Sequence, residues 1–236
     1  MIRLDNYLVE KKFVDSRTKA QALIKDKKVK VDGKLILKSS LKISDSNLVE
    51  VEEFDNYVSR SAKKLKLFLD EIGLDVKDDI ALDIGSSTGG FTQILLEYGA
   101  KEVSSVDVGK EQLHKILKDD SRVLSYESCD IRKFESSKTF DIVVSDVSFI
   151  SLLYILDDVD RLASSKIILL FKPQFEVGRD AKRDTNGVVL DKKAILDAMD
   201  KFEKECQQKG WHLNKKAPSK VTGKEGNLEY CYFYEK

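Results

Sequence analysis

Asp83-Ile84-Gly85-Ser86-Ser87-Thr88-Gly89-Gly90-Phe91 is the stretch that decides the fold of most of this chain. It ends the apolar run Ile80–Ile84 and leads into a helical pattern. Glycine and other small residues let the backbone approach a ligand closely, so the stretch predicts a cofactor-binding turn between a strand and a helix. The spacing matches neither G-x-G-x-x-G nor a phosphate-binding loop with Lys-Ser/Thr, which makes NAD and ATP second choices.

Strand-sized apolar runs alternate with helical patterns from Ile80 onward. This alternation predicts an α/β fold with a doubly wound, mainly parallel, Rossmann-like sheet. The runs that we assign to its parallel strands are Ile80–Ile84, Val103–Val108, Val123–Tyr126, Ile142–Val144 and Ile167–Phe171. Two later runs, Gly210–Asn214 and Glu229–Tyr234, are joined by a Gly-rich loop and predict an antiparallel edge.

Acidic residues follow three of these runs, at Asp107, Asp130 and Asp146. In such folds the carboxyl ends of the strands meet at the ligand crevice. We expect Asp107 to accept hydrogen bonds from ribose hydroxyls and Asp130 to lie near an adenine edge. The glycine turn together with the three acids indicates S-adenosylmethionine as the cofactor and a methyltransferase as the enzyme.

The segment Asp146-Val147-Ser148-Phe149 narrows the chemistry of the methyl acceptor. Methylases of exocyclic base amines usually carry Asn/Asp-Pro-Pro-aromatic at this place, and that motif is missing. Carbon methylation through a covalent adduct requires a Cys nucleophile, yet Cys129 has neither a Pro neighbour nor a matching strand position. An oxygen atom is therefore the better acceptor.

Two lysines are candidates for activating such an oxygen. Lys172 directly follows Ile167–Phe171, so we expect its side chain at the ligand-binding end of the sheet. A ribose 2′-hydroxyl is a weak nucleophile, and a lysine can orient it and accept its proton where burial or a second cation disfavours the ammonium form. Lys64 is a candidate second cation, because Ala62 and Leu65 mark the buried face of its helix; a solvated lysine is the alternative reading.

Residues 1–56 are predicted to form a separate small α+β domain, and residues 57–236 the second domain. The formal net charge of the chain is zero, but residues 1–50 carry 12 Lys/Arg against 7 Asp/Glu, which favours a polyanionic partner. The patterns predict a helix over Ile2–Lys11 and a second helix capped by Ser16. Strands over Val29–Val31 and Leu35–Leu37 should form a hairpin around Asp32-Gly33. A final strand in residues 45–56 runs into a linker, with the boundary near Asn56.

This N-terminal segment resembles the S4 domain in Arg3-Leu4-Asp5, Ser16-Arg17-Thr18-Lys19-Ala20-Gln21 and Val29-Lys30-Val31-Asp32-Gly33. The resemblance implies an RNA-binding module, although S4-like modules usually carry Gly where Lys27 stands. Polar and basic residues can form a surface that faces RNA phosphates. The residues that we expect to bind RNA are Arg3, Ser16, Arg17, Lys19, Gln21, Lys27, Lys28, Lys30 and, in the second domain, Arg60.

Six blocks along nearly the whole chain resemble the TlyA (hemolysin A) family, whose catalytic domain is FtsJ-like. The blocks are Tyr57–Leu65, Gly85–Thr92, Asp107–Gly109, Asp146–Ser151, Lys172–Gly178 and Gly226–Tyr230. The resemblance implies a Lys-Asp-Lys-Glu tetrad, with its catalytic members at Lys64, Asp146, Lys172 and Glu229. The expected cofactor-binding residues are Asp83, Gly85, Ser86, Ser87, Thr88, Gly89, Gly90, Phe91, Asp107, Val108, Asp130 and Asp146. Departures from the family pattern are Ser61 for the usual Gly, Ser86 for Ala and Asp130 for Asn.

The same resemblance implies a role for each member of the tetrad. Lys172 orients and deprotonates the 2′-hydroxyl, Asp146 sits between the cofactor methyl and the lysines, and Lys64 with Glu229 fixes charge and substrate position. The implied reaction is 2′-O-methylation of a cytidine ribose in ribosomal RNA. The short segments before Arg3 and after Tyr234 resemble the family's shorter form, which implies the large subunit (23S), with 16S also open.

Other function classes are disfavoured by what the sequence lacks. No apolar run reaches the roughly 20 residues of a membrane span, and no secretory signal precedes the amphipathic start, so a cytoplasmic protein without a membrane partner is expected. These features disfavour a membrane-acting hemolysin, and the cofactor turn disfavours a pseudouridine synthase. A non-catalytic S4-type ribosome-binding factor stays open as the alternative, and no obligate protein partner is indicated.

The remaining reactive residues predict neither a metal site nor a disulfide. Cys129, Cys206 and Cys231 form no C-x-x-C pair and are expected to be buried free thiols. His114 and His212 have no metal-like spacing with acidic residues, so no metal is predicted.

Overall fold

The computed structural model describes residues 1–14, 16–52 and 57–236. It separates into two compact units, residues 1–56 and residues 57–236, which are described in turn as the N-terminal and the C-terminal unit. The predicted boundary near Asn56 lies outside the described residues.

The N-terminal unit is built from two short helices and short antiparallel strands. Its elements in chain order are β1 (Ile2–Arg3), α1 (Leu4–Glu10), α2 (Arg17–Lys25), β2 (Val29–Val31), β3 (Lys34–Leu35), β4 (Lys42–Ile43) and β5 (Val49–Val51). β1 pairs with β4, and β2 lies between β3 and β5. Leu8, Ile24, Val29 and Ile43 belong to one buried core, which joins the helices to the strands.

Turn chemistry explains most of the local structure of this unit. Ser16 caps α2, because its Oγ accepts a hydrogen bond from the Lys19 N–H at 3.3 Å. Asp32 and Gly33 have φ values of 51° and 73°, as a tight hairpin turn requires, so the predicted turn is confirmed. Lys27 has a φ of 62°, a left-handed conformation that costs an L residue about 1–2 kcal/mol and that glycine adopts freely.

Two predicted elements of this unit have the wrong extent. The helix expected over Ile2–Lys11 begins only at Leu4, because the two preceding residues pair with β4 as strand β1. The strand expected over Leu35–Leu37 covers only Lys34–Leu35, which pair with Val31 and Lys30 of β2. Leu37 is exposed.

The C-terminal unit alternates strands with helices. Its elements are α3 (Arg60–Ile72), β6 (Ile80–Ile84), α4 (Gly90–Glu97), β7 (Glu102–Val106), α5 (Lys115–Lys118), β8 (Val123–Tyr126), β9 (Phe140–Ser145), α6 (Leu156–Leu162), β10 (Ala163–Phe171), α7 (Pro173–Glu176), α8 (Lys192–Gln208), β11 (His212–Pro218) and β12 (Tyr230–Glu235). All residues from 57 to 236 are described, and within them seven strands form one sheet in the order β11-β12-β10-β9-β6-β7-β8.

The direction of the strands confirms the predicted α/β class. β6 is parallel to β7 and β9, and β10 is parallel to β9. β12 is antiparallel to both of its neighbours, as expected for the edge formed by the end of the chain. β7 and β8 lie on one side of β6, and the later strands β9 and β10 lie on its other side. The strand order thus reverses between β6 and β9, and ligands of such sheets bind at this switch point.

Each face of the sheet has its own core. Along β10, Ile167, Leu169 and Phe171 pack with α6 and α8, whereas Ile168 and Leu170 pack with α3 and α4. This alternation follows from the period of two in a strand that is covered on both faces. It also decides on which face residues just beyond the strand ends lie.

Candidate active site

The glycine turn connects β6 to α4 in a conformation that other residues do not adopt easily. Gly85 and Gly89 have φ values of 78° and 94°. A Cβ atom on Gly85 would lie 2.9 Å from Val147 Cγ1, and one on Gly89 would lie 2.2 Å from Leu117 Cδ1. Both glycines are therefore required by backbone conformation and by close packing.

Asp83 is fully buried at the end of β6 and lines the cavity beside this turn. Its Oδ2 accepts hydrogen bonds from the Thr92 N–H at 2.9 Å and from Thr92 Oγ1 at 2.6 Å. Its Oδ1 has no hydrogen-bond partner among the described residues. Burial raises the pKa of Asp83 to about 7 against the opposing effect of the Thr92 hydrogen bonds, and the Asp146 carboxylate adds to the rise. A buried acceptor without a partner is costly, so this atom favours a donor from a ligand.

The first turn of α3 packs directly against the first turn of α4. A Cβ atom on Gly90 would lie 2.1 Å from Ser59 Oγ, 2.2 Å from Ser61 Oγ and 2.9 Å from the Ala62 nitrogen. The two serine hydroxyls lie 2.6 Å apart. Ser61, which replaces the family's usual Gly, is thus accommodated without separating the helices.

A cavity of about 790 Å³ opens at the carboxyl edge of the sheet. The first part of its wall comes from α3 and the glycine turn: Ser59, Arg60, Ser61, Lys64, Asp83, Gly85, Ser86, Ser87, Thr88 and Phe91. The second part follows β9 and β10: Asp146, Ser148, Phe149, Lys172, Gln174 and Phe175. The third part comes from two late loops: Arg183, Asn186, Gly187, Lys224, Glu225, Asn227 and Glu229. All four predicted catalytic residues therefore line one cavity.

Lys64 and Glu229 form a buried ion pair in this wall. Lys64 Nζ donates to Glu229 Oε2 at 2.5 Å, and the two side chains are 9% and 3% exposed. The pair joins α3 to the residue before β12, across 165 positions of sequence. Lys64 is therefore not the solvated lysine of the alternative reading.

Lys172 and Asp146 form the second charged pair. Lys172 Nζ lies 2.6 Å from Asp146 Oδ1 and donates to Ser148 Oγ at 2.8 Å. Asp146 Oδ1 has no hydrogen-bond partner among the described residues, so its contact with Lys172 is an ion pair. Because β9 and β10 are neighbouring parallel strands, the residues that follow them meet at the same edge.

Strand alternation explains how the two pairs come to share one cavity. Lys172 follows Leu170 by two positions, and Glu229 precedes Cys231 by two; Leu170 and Cys231 belong to the core on the α3 face. Lys172 and Glu229 thus fall on the face from which Lys64 projects. Gln174 lies nearby, and its Nε2 donates to Glu229 Oε1 at 3.4 Å.

Glu176 connects the loop after β9 to α7. It accepts hydrogen bonds from Ser151 Oγ at 2.5 Å and from the Leu152 N–H at 2.9 Å. Burial raises the pKa of Glu176, and both hydrogen bonds oppose that rise. The contact fixes the loop that carries Asp146 against the segment that carries Lys172.

Some predicted cofactor-binding residues lie outside the cavity wall. Asp107 accepts hydrogen bonds from the Ser87 N–H at 2.8 Å and the Gly109 N–H at 2.7 Å, so it shapes the glycine turn. Val108 is largely exposed. Asp130 pairs with Arg132, whose guanidinium lowers the pKa of Asp130 to about 2. Gly89 and Gly90 act through the backbone, as described above.

The predicted RNA-binding residues of the N-terminal unit fall into three groups. Arg3, Arg17 and Gln21 all donate to the carboxylate of Asp5, a residue that the sequence reasoning did not select. Lys30 pairs with Glu52 at 3.3 Å on the face of β2 that points away from the core. The other expected residues of this unit lie at the N-cap of α2, on α2 and just after it: Ser16, Lys19, Lys27 and Lys28.

Several residues of the cavity escaped the sequence reasoning. Asn227 is buried, accepts from the Val189 N–H at 3.0 Å and donates to the Gly187 carbonyl at 3.4 Å, so it ties two loops together beside Glu229. Gln174, Ser148 and Asn227 all stand inside the blocks that carry the family resemblance. Their position in those blocks was the available signal.

The residues that the structure describes contain no helix long and apolar enough to cross a membrane. In the same residues, no group of three or more His, Cys, Asp or Glu side chains is arranged to hold a metal ion. Cys206 and Cys231 are buried, and burial raises the pKa of each thiol to about 12. Cys129 is only partly buried, so the prediction of a buried thiol is wrong there.

A glycine turn after the first strand of a mainly parallel sheet, with a charged cavity at the carboxyl edge, defines an α/β enzyme of the methyltransferase class. The chain belongs to the FtsJ-like methyltransferase family, whose model matches residues 57–236, and residues 2–49 match the S4 domain. It is 44% identical to the 23S rRNA (cytidine-2′-O)-methyltransferase TlyA of Campylobacter jejuni, over 98% of each chain.

Two further comparisons agree with this family. The chain is 36% identical to the 16S/23S rRNA (cytidine-2′-O)-methyltransferase TlyA of Mycobacterium tuberculosis, over 97% of this chain and 87% of that one. A solved protein of Streptococcus thermophilus, provisionally named a hemolysin, is 32% identical with a TM-score of 0.75, over 99% of this chain and 88% of that one.

Proposed function

We propose that this protein transfers a methyl group from S-adenosylmethionine to the ribose 2′-oxygen of a cytidine in ribosomal RNA. The observation that carries the proposal is the meeting of two ion pairs, the buried Lys64–Glu229 pair and the largely buried Lys172–Asp146 pair, in the wall of the cavity that begins at the glycine turn. Neither a base-amine motif nor a cysteine nucleophile accompanies them.

The residues around the turn fit this cofactor. Asp83 Oδ1 offers a buried acceptor for its ammonium group, and the glycine turn allows close backbone approach. Asp107 keeps acceptor capacity beyond its present partners, because each of its oxygens accepts one hydrogen bond and has two lone pairs. Asp130 is engaged by Arg132, an exposed side chain that we expect a ligand to displace. We assign the two carboxylates to ribose and adenine, with Val108 beside them. When bound, the cofactor supplies an electrophilic sulfonium methyl.

Each member of the tetrad has a task that its contacts support. Lys172 Nζ is held by the carboxylate and carbonyl of Asp146 and by Ser148 Oγ, so its nitrogen is fixed in the cavity wall. There it can orient a 2′-hydroxyl and, in its neutral form, accept the proton. The carboxylate of Asp146 stabilises the positive charge of the methyl donor on one side and of the lysines on the other. Lys64 and Glu229 hold each other rigidly, and Arg60 at the mouth of the cavity is placed to meet RNA phosphate.

The substrate assignment rests on the relatives and on the S4 domain. The relative from Campylobacter jejuni is named for 23S rRNA, and the one from Mycobacterium tuberculosis for both 16S and 23S rRNA. We assign the large subunit as the preferred substrate, because identity and coverage are higher for the first relative. The proposal includes a cytoplasmic location, where ribosomal RNA is found, and a boundary near residue 56 between RNA-binding and catalytic domains.

A non-catalytic ribosome-binding factor is the competing function, since an S4 domain alone binds RNA. It gives no reason for the Asp83 oxygen without a hydrogen-bond partner or for two ion pairs at one cavity. Titration calorimetry with S-adenosylmethionine separates the two functions, because only the enzyme binds the cofactor. Binding is expected to be lost in Gly85→Val and kept in Gly178→Ala, where a Cβ atom meets nothing within 4 Å.

The substrate part of the proposal is tested with separated ribosomal subunits from cells that lack the modification. Tritiated S-adenosylmethionine should label RNA of the large subunit faster than RNA of the small subunit. Equal or reversed rates would contradict the large-subunit assignment, and absence of label in both would contradict the enzymatic function.

A further inference from the structure

One buried carboxylate in the N-terminal unit holds three of the polar side chains that were expected to bind RNA. Asp5, in the first turn of α1, is fully buried. Arg3 donates through Nε to Asp5 Oδ1 at 3.0 Å and through Nη2 to Oδ2 at 2.8 Å. Arg17 Nε and Gln21 Nε2 donate to Oδ2 at 3.0 Å and 2.9 Å. Both of these residues come from α2.

The charge of this group remains positive overall, because two guanidinium groups surround one carboxylate. The Arg3 hydrogen bonds hold the pKa of Asp5 well below its usual range against the opposing effect of burial, and the bonds from Gln21 and Arg17 lower it further. Asp5 is therefore ionised at any pH at which RNA is bound.

The arginines keep donors that Asp5 does not use. Among the described residues, Arg17 donates through Nε only, which leaves both terminal nitrogens available, and its side chain is 53% exposed. Arg3 is 37% exposed and keeps Nη1. Guanidinium groups recognise phosphate through pairs of such donors, and a guanidinium that is already fixed loses less side-chain freedom when it binds.

We propose that Asp5 is a positioning residue of an RNA-binding site: its buried carboxylate fixes Arg3, Arg17 and Gln21 as one fork for a phosphate group of the RNA backbone. This inference rests on the proposed function, because it assumes that the N-terminal unit meets ribosomal RNA. The inference gives Asp5 a positive role in RNA binding, although its negative charge by itself would repel RNA.

The isosteric substitution Asp5→Asn separates positioning from simple electrostatics. If only net charge mattered, removing a negative charge would tighten RNA binding and steepen its salt dependence. If Asp5 positions the fork, the variant should bind large-subunit ribosomal RNA about tenfold more weakly, as expected for losing a charge-assisted hydrogen bond to phosphate. The slope of log K against log salt should fall by about 0.7–0.9 for each phosphate that the variant no longer neutralises.

Asp45→Asn is the matched control. Asp45 belongs to the same unit and forms an exposed ion pair with Lys11 at 2.9 Å, and the hydrogen bonds that hold the fork do not include it. It changes the net charge by the same amount, so binding should stay unchanged or become slightly tighter. Fluorescence anisotropy with a labelled large-subunit RNA transcript, at several salt concentrations, measures both variants in the full-length protein.

A second set of variants covers the case in which Asp5→Asn unfolds the N-terminal unit. Arg17→Lys keeps the charge of an exposed residue but removes the planar fork, and we expect it to weaken binding about as much as Arg17→Gln. Lys25→Arg, on the exposed face of α2, is the control that exchanges the same residue types without touching Asp5. Circular dichroism verifies that each variant is folded.

The outcomes separate this inference from the proposed function. Weaker binding in Asp5→Asn and in Arg17→Lys, with a reduced salt slope, supports the fork. Unchanged or tighter binding in Asp5→Asn, or unchanged binding in Arg17→Lys, overturns the inference while leaving the proposed function intact. Failure of the unsubstituted protein to bind the RNA overturns both.

Discussion

Replacing one partner of the Lys64–Glu229 pair should destabilise the protein far more than replacing both partners. The nitrogen and oxygen lie 2.5 Å apart, and both side chains are almost fully buried. Lys64→Met leaves a buried carboxylate without its cation, and Glu229→Leu leaves a buried ammonium. Breaking a buried ion pair in this way costs about 3–5 kcal/mol, whereas replacing both partners by apolar residues is often neutral. For a domain of this size, that cost corresponds to a fall of roughly 6–20 °C in Tm.

Thermal and urea unfolding of the two single variants and of Lys64→Met/Glu229→Leu measure the coupling. The double variant should lie close to the unsubstituted protein in stability, yet all three variants should lack methyl transfer. Lys204→Met is the control: its partner Asp200 lies 2.6 Å away, but both side chains are more than 60% exposed. Its cost should be about 0–1 kcal/mol. The reasoning would be refuted if each single substitution lowered the free energy of unfolding by less than about 1 kcal/mol. It would also be refuted if the loss in the double variant equalled the sum of the two single losses.

Three further predictions concern the cavity. Lys172→Ala should lower kcat by about 10²–10⁴-fold or more while the Kd for S-adenosylmethionine measured by calorimetry changes little; an equal loss of affinity would contradict its role toward the acceptor. Because burial raises the Asp83 pKa to about 7 from 3.8, the native state binds this proton more tightly than the unfolded chain. The stability that Asp83 contributes therefore falls between about pH 4 and pH 7. Over this range the free energy of unfolding of Asp83→Asn should rise relative to that of the unsubstituted protein, and a difference that stays constant with pH would exclude the assignment. Gly90→Ala should destabilise the protein by about 1–3 kcal/mol in urea unfolding, because its Cβ meets α3, whereas Gly178→Ala should be neutral; equal effects would argue against the close packing of α3 on α4.

The sheet and the turns were predictable because their signals are local. Ile167–Phe171 is an apolar run with a strand's length, and both of its faces are covered. Asp and Gly are residue types that favour the positive φ values of a tight hairpin turn, and Asp32 and Gly33 adopt them. By contrast, the ends of α1 and β3 depend on which strand pairs with them, and pairing is not written in a local pattern.

The catalytic candidates were found for a different reason. Lys64 and Glu229 are 165 positions apart, and periodicity alone gives no reason to pair them. The buried face of its helix made Lys64 a candidate, and the family resemblance selected it together with Glu229. The alternation of β10 and β12 then explains why they share a face with Lys172. Local patterns could bring Lys172 and Asp146 to one edge, because both directly follow parallel strands.

Residues that act through tertiary contacts could not be predicted. Asp5 acquires Arg17 and Gln21 as partners only when α2 packs against α1, and its sequence neighbours do not indicate this. Asn227 ties together loops that have no periodic pattern. Asp107 and Asp130 were predicted to contact a ligand because they follow strands. In the structure, Asp107 also accepts hydrogen bonds from backbone amides, and Asp130 also pairs with Arg132.

The central claim is the chemistry of the methyl acceptor, and the nucleoside product tests it most directly. Large ribosomal subunits without the modification are incubated with the protein and isotopically labelled S-adenosylmethionine, and the RNA is then digested and examined by mass spectrometry. We expect the label in 2′-O-methylcytidine, and none when Lys172→Ala replaces the unsubstituted protein. A label on a base, or a ribose label that Lys172→Ala leaves undiminished, would contradict the account.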